Sequence, residues 1–276
     1  MTVSIHPTAV VHTTAEFDAD VSVGPYCVVG PHVRVGRGSI LHNHVTIQGC
    51  TTLGEDNVVF PFAVLGAEPQ DLKYEGRDTE LVIGDRNKIR EHATIHRGTE
   101  LGGYKTMIGS DCLVMVGVHI AHDCVIEDEV VIANGSMLGG HCLVEFGAAI
   151  GGGAGLHHFT TVGTLAFVGG MSRISKDVAP YVVVEGTPAE ARKINTTALM
   201  RRKWQPEEIE RLREAFRMIF RSHDVPAAVA LERLRATPDQ SRAVIRLCDF
   251  AERAQLGVHG RHRELLRERD VDRRDD

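Results

Sequence analysis

An aliphatic residue recurs at every sixth position along the first two-thirds of the chain. The series runs Ile5, Val11, Phe17, Val23, Val29, Val35, Leu41, Ile47, Leu53, Val59 and Leu65. It breaks, then resumes in phase at Ile83, Ile89 and Ile95. It breaks again and restarts one residue out of phase at Ile108, running through Val114, Ile120, Ile126, Ile132, Leu138, Val144, Ile150, Leu156, Val162 and Val168 to Ile174. Only Phe17 in the series is not aliphatic. A period of six matches neither a helix nor simple strand alternation. It predicts short strands that turn after every hexad, three hexads to a coil, in a parallel β-helix whose coils stack about 4.8 Å apart.

Four places after each aliphatic position comes a small residue, among them Ala63, Ala93, Cys112, Cys124, Ser136 and Cys142. Cys27, Cys112, Cys124 and Cys142 are therefore expected as reduced core fillers. The six cysteines form no CxxC pair and no zinc spacing. Glycine often follows the aliphatic residue, as at Gly24, Gly36, Gly139 and Gly151. This predicts a tight corner of unusual backbone conformation there. The stretches 66–82 and 97–107 abandon the code and are expected to loop out of the prism, where function tends to sit.

The code fades after Ile174 and closes near Gly186-Thr187-Pro188. Helices are expected from about Thr196, with Pro206 at a first helical position and an apolar face on Ile209, Leu212, Phe216, Ile219 and Phe220. A further helix is expected over Val225–Arg235, a last one starting at Thr237-Pro238-Asp239, and a charged tail, Arg261–Asp276, that frays. The division is a β-helical domain over 1–190 and a helical domain over 191–276.

Composition narrows the function. The 276 residues are 43% hydrophobic and 25% charged, a globular balance, while 28 glycines and only 5% aromatics fit a repeat. A net charge of −6 argues against a nucleic-acid binder. Met1–Val10 is already patterned, so neither signal peptide nor membrane insertion is expected, and a cytoplasmic protein follows.

The chemistry gathers around His119-Ile120-Ala121-His122-Asp123-Cys124. With three hexads to a coil, Asp123 lies below His141, and His122 lies below Gly140, itself below His158. His119, His122, His141, His157 and His158 then converge within roughly 10 Å, two coil spacings. One reading is a general base whose tautomer a carboxylate fixes. Another is a three-histidine metal site, as in β-helical carbonic anhydrases. Their H-x4-H pair is missing here, so no metal ligand is expected.

His119–Cys124, Gln70-Asp71-Leu72-Lys73-Tyr74, Ile95-His96-Arg97-Gly98-Thr99 and Gly140-His141 together resemble the UDP-N-acetylglucosamine O-acyltransferase family of lipid A biosynthesis. The similarity spans the prism and reaches Arg201-Arg202. It implies a left-handed coil, a homotrimer with sites between subunits, and no cofactor. The donor would be an acyl carrier protein and the acceptor UDP-N-acetylglucosamine. His122 would deprotonate the sugar 3-hydroxyl, Asp123 would orient His122, and the Gly140 amide would stabilise the oxyanion. Gln70, Asp71, Lys73, His96, His119, His141, His157 and His158 would bind substrate, with Asn195, Arg201 and Arg202 at the uridine diphosphate. Gly170 would limit acyl-chain length. His158, Pro188 and Thr197 depart from the family pattern, which keeps a 3-amino acceptor, and hence N-acyl transfer, as an alternative. A non-catalytic assembly platform is the rival of another class, and the His122-Asp123 pair beneath Gly140-His141 speaks against it.

Overall fold

The computed structural model describes residues 2–222 and 225–265. The hexads wind into a left-handed parallel β-helix of three sheets. The first sheet starts at Ser4–Ile5, the second at Val10–Val11 and the third at Glu16–Phe17. Ile5 pairs with Val23, Val23 with Leu41 and Leu41 with Val59, so successive coils repeat in register. Each coil donates its strand amides to the next, as from Val10 N to the Cys27 carbonyl at 2.8 Å.

From Val23 onward the aliphatic positions point inward and are sealed; Ile47, Val59, Leu65, Ile95, Ile120 and Ile132 are fully buried. Each such side chain contributes about 1.5–3 kcal/mol of burial. The small residues fill the angles between sheets. Their thiols and hydroxyls share one task there. Cys124 Sγ donates to the Gly139 carbonyl at 3.2 Å, Cys142 Sγ to that of His157 at 3.3 Å, and Ser136 Oγ to that of Gly151 at 2.9 Å. Burial pushes the Cys112 thiol up to about 11 and raises the Cys124 thiol as well. These cysteines are core residues, as the repeat predicts.

The glycines after the aliphatic positions have a different cause from the one expected. Gly24, Gly36 and Gly139 do not adopt positive φ. They let coils touch: a Cβ on Gly36 would stand 2.5 Å from the Gly54 carbonyl carbon. The left-handed residue comes two places later and is often not glycine, as at Tyr26, Asp123 and His141, with φ of 58°, 58° and 61°. Short polar and histidine side chains are enriched in that region.

The two excursions are narrower than the broken code suggests. Strands Val64–Ala67 and Glu80–Ile83 leave 68–79 outside the prism, and Lys105–Ile108 leaves 97–104. Both leave the corner between the second and third sheets. The first sheet ends in a hairpin, Val182–Gly186 and the antiparallel Ala189–Ile194, which carries strand past residue 190.

Among the described residues four α-helices follow: α1 (Thr196–Arg201), α2 (Pro206–Phe220), α3 (Ala227–Ala236) and α4 (Arg242–Leu256). Pro206 opens α2, and Ile209, Leu212 and Phe216 are buried on its inner face. The last helix starts later than Thr237-Pro238-Asp239. Ser241 caps it, its hydroxyl accepting from Ala243 N at 3.1 Å. The tail through Leu265 is also docked rather than frayed, and residues 266–276 of that expectation lie outside the described residues. Arg261 is buried, pairs with Glu264 and donates to the Ser175 carbonyl at 2.6 Å, while His262 N donates to Asp177 Oδ2 at 2.8 Å. An apolar cavity of about 420 Å³ between the last coil and the helices, lined by Ile174, Val182, Phe220 and Phe250 among others, includes none of the clustered histidines.

Candidate active site

Three successive turns of the corner between the second and third sheets carry Ala121-His122-Asp123, Gly139-Gly140-His141 and His157-His158-Phe159. The eighteen-residue arithmetic holds at backbone level. His141 N donates to the His122 carbonyl and Phe159 N to the Gly140 carbonyl, both at 3.0 Å.

His122 Nδ1 donates to Asp123 Oδ2 at 2.7 Å. An ionised carboxylate only accepts, so this bond leaves the Nε2 lone pair able to take up a proton. Nε2 has no hydrogen-bond partner among the described residues. The Asp123 side chain is fully buried. It accepts from Thr99 N at 2.8 Å and from Thr99 Oγ1 at 2.6 Å. The His122 ring packs against Gly140, where a Cβ would be 2.5 Å from Cε1. Among the described residues the Gly140 amide has no acceptor, so it is free to donate to an oxyanion beside the base.

The other histidines frame this pair. His141 stacks on Phe159 with centroids 4.2 Å apart and meets His122 edge-on at 5.1 Å. Its Nε2 is 3.7 Å from Asp123 Oδ2, yet burial outweighs that carboxylate and pushes His141 down to about 4. His119 Nδ1 and Thr94 Oγ1 share a hydrogen bond of 2.7 Å. His96 is buried edge-on to His119, and burial with the neighbouring cationic positions pushes it down to about 4. Burial also lowers His119. His157 and His158 have ring centroids 3.8 Å apart, and His157 Nδ1 reaches the His158 carbonyl at 3.0 Å.

The excursion at 68–79 leaves the same corner. Gln70 and Lys73 are exposed, and Asp71 Oδ1 accepts from Lys73 N at 3.0 Å. Arg97 anchors this loop, donating to the Gly66 carbonyl at 3.1 Å and to Tyr74 Oη at 3.0 Å. Arg77 N ties it to the second excursion through Glu100 Oε1 at 3.0 Å.

A cation is geometrically conceivable, because ligand atoms of His122, Asp123 and His141 lie within 4.8 Å of one another. The carboxylate, however, is already committed to two Thr99 donors and to His122 Nδ1. A base held by a buried carboxylate is the chemistry this arrangement favours.

Comparison with known proteins bears on the assignment. The family model described as UDP-N-acetylglucosamine O-acyltransferase, domain 2, matches residues 177–259, and bacterial transferase hexapeptide repeats match 14–49 and 105–140. The acyl-[acyl-carrier-protein]--UDP-N-acetylglucosamine O-acyltransferase of Syntrophobacter fumaroxidans is 41% identical over 92% of this chain and 98% of its own length. The chain belongs to the UDP-N-acetylglucosamine O-acyltransferase family. Solved acyltransferase structures agree. LpxA of Acinetobacter baumannii superposes with a TM-score of 0.86 at 40% identity, covering 90% of this chain and 96% of its own. The Moraxella catarrhalis enzyme gives 0.86 at 41%, covering 91% and 97%.

Not every residue singled out in this acyltransferase meets the others within one chain. Gly170 is exposed on the corner between the first and second sheets. Asn195 and Arg202 attach to the corner between the third and first. Asn195 Nδ2 donates to the Leu165 carbonyl at 2.8 Å, and Arg202 pairs with Glu129 at 2.6 Å over the Phe146 ring. Arg201 is exposed beside them. The repeat and the histidine cluster give no cue to Thr99 or Arg97 as site-building residues. Their one signal is position, in a string that interrupts the repeat.

Proposed function

We propose that the chain transfers an (R)-3-hydroxyacyl group from acyl carrier protein to the 3-hydroxyl of UDP-N-acetylglucosamine, the first step of lipid A biosynthesis, in the cytoplasm. His122 Nε2 takes the hydroxyl proton as the sugar oxygen attacks the thioester carbonyl. The Gly140 amide donates to the oxyanion of the tetrahedral intermediate. Collapse breaks the C–S bond, and the proton held on His122 passes to the departing thiolate. Asp123 keeps His122 in the one tautomer and orientation that serve both steps. The carrying observation is the 2.7 Å bond from His122 to a buried Asp123, with the ring against Gly140.

The prism, 1–190, carries the base and acceptor residues in this reading, and 191–276 supplies Asn195, Arg201 and Arg202. These groups and Gly170 occupy three different corners, so a complete site calls for neighbouring subunits. A homotrimer packed on its flat faces supplies them. The exposed apolar neighbours Val10 and Val28 on the second sheet, with Met137 further along the same face, support such packing. Sedimentation of an active monomer would contradict it.

Mass spectrometry of products from UDP-N-acetylglucosamine and a mixed pool of 3-hydroxyacyl carrier proteins tests the reaction. A single acylated sugar nucleotide, absent with His122→Ala, is expected. Product only from the 3-amino sugar would instead assign N-acyl transfer, and no product from either would overturn the reading.

A further inference from the structure

The repeat itself gives no reason for the excursion at 97–104. A coil above, the same corner is turned by Ala121–Cys124 with no extra residues. What the excursion delivers is Thr99. This residue is 2% exposed and faces a carboxylate with no exposed side-chain surface. Its amide reaches Asp123 Oδ1 at 2.8 Å and its hydroxyl reaches Oδ2 at 2.6 Å. The hydroxyl oxygen also accepts from Gly102 N at 3.1 Å. Its single hydrogen is thereby left for the carboxylate. Oδ2 is the same oxygen that receives His122 Nδ1.

The rest of the excursion closes over this contact. Gly102 lies so near Asp123 that a Cβ there would come within 1.9 Å of Cγ, so the loop backbone covers the carboxylate. From the other side, the Thr106 hydroxyl accepts from the Asp123 backbone amide at 2.8 Å. The Asp123 backbone amide and both carboxylate oxygens are held by two residues of one stretch, Thr99 and Thr106.

We propose that Thr99 is a positioning residue for acyl transfer. It fixes the Asp123 rotamer so that Oδ2 meets His122 Nδ1 and His122 Nε2 faces the acceptor hydroxyl. The inference rests on His122 being the base. A group held by packing and hydrogen bonds keeps the near-attack geometry on which rate depends, and small displacements are costly.

Thr99→Val keeps the shape and the amide and removes only the hydroxyl. We expect kcat to fall about tenfold or more, with KM for UDP-N-acetylglucosamine held within about twofold. Thr99→Ser should recover kcat to within about threefold of the parent. In an Asp123→Asn background, Thr99→Val should cost almost nothing further, because the two act through one contact. If Thr99→Val does not fold, Thr99→Ala is read the same way against Thr99→Ser. Parental kcat in Thr99→Val or Thr99→Ala would overturn the proposal. So would a loss that Thr99→Ser fails to recover, or one that persists in full in the Asp123→Asn background. His122→Ala, assayed alongside, separates the two claims. An active His122→Ala enzyme removes the base assignment. An inactive one beside a normal Thr99→Val removes Thr99 alone.

Discussion

His122 Nδ1 stands 2.7 Å from Asp123 Oδ2, and the carboxylate it meets is sealed from solvent. Asp123→Asn keeps the shape but offers an amide where a charged acceptor stood, which favours the wrong imidazole tautomer. kcat should fall by about 10² to 10⁴ while KM changes little. Steady-state kinetics check this, and a loss below tenfold would mean that Asp123 only packs.

In the proposed mechanism Gly140 serves by contact as well as by its amide. Gly140→Ala places a methyl 2.5 Å from His122 Cε1, and the ring is the part free to move. A displaced base should lower kcat by about 10- to 100-fold, with melting temperature little altered. An unmoved ring in the crystal structure of the variant, or full activity, would count against the geometry drawn here.

His96 and His141 make the fold sensitive to acid. Burial holds both at about 4 in the folded chain, against 6.5 for an ordinary imidazole. Between those values the unfolded chain binds more protons, so acid favours unfolding. This stability is complete above about pH 6.5 and drains as pH falls towards 4, by about 2 kcal/mol per group at pH 5. Melting temperature should be flat from pH 8 to 7 and then fall. The fall should be shallower in His96→Gln with His141→Gln, and an identical slope would refute the cause.

Gly170 is exposed, and a Cβ there would meet only the Gly152 backbone, its oxygen at 3.3 Å. Gly170→Met should therefore fold normally. In a mixed donor pool it should move product towards shorter acyl chains, and an unchanged chain profile would remove this position as a length limit.

The scaffold was legible because every inward position obeys one rule of six, so counting alone placed His122 beneath Gly140. The Asp123 clamp was not legible by counting. Thr99 lies 24 residues from Asp123, across an insertion that breaks the eighteen-residue ladder. The glycine code misled because one residue type answers two different demands. Gly36 satisfies close coil contact, while the left-handed corner accepts Asp123 and His141. The tail misled because charge was equated with exposure, whereas Arg261 and Glu264 neutralise each other against the prism. Ser241 does not stand out as a cap in the sequence because Thr237 and Asp239 offer the same chemistry a few residues earlier.

Both excursions and the whole base–carboxylate–amide group leave a single edge of a scaffold whose coils contact only their neighbours above and below. In engineering terms that edge is a cassette. An inert prism of matching register could receive the base and its clamp as two loops and three consecutive corners, while Asn195, Arg202 and Gly170 stay behind on the other two edges. The base and its clamp are thus separable from length, and the far end, where Ile5 is already exposed, can be extended by further coils without redrawing them.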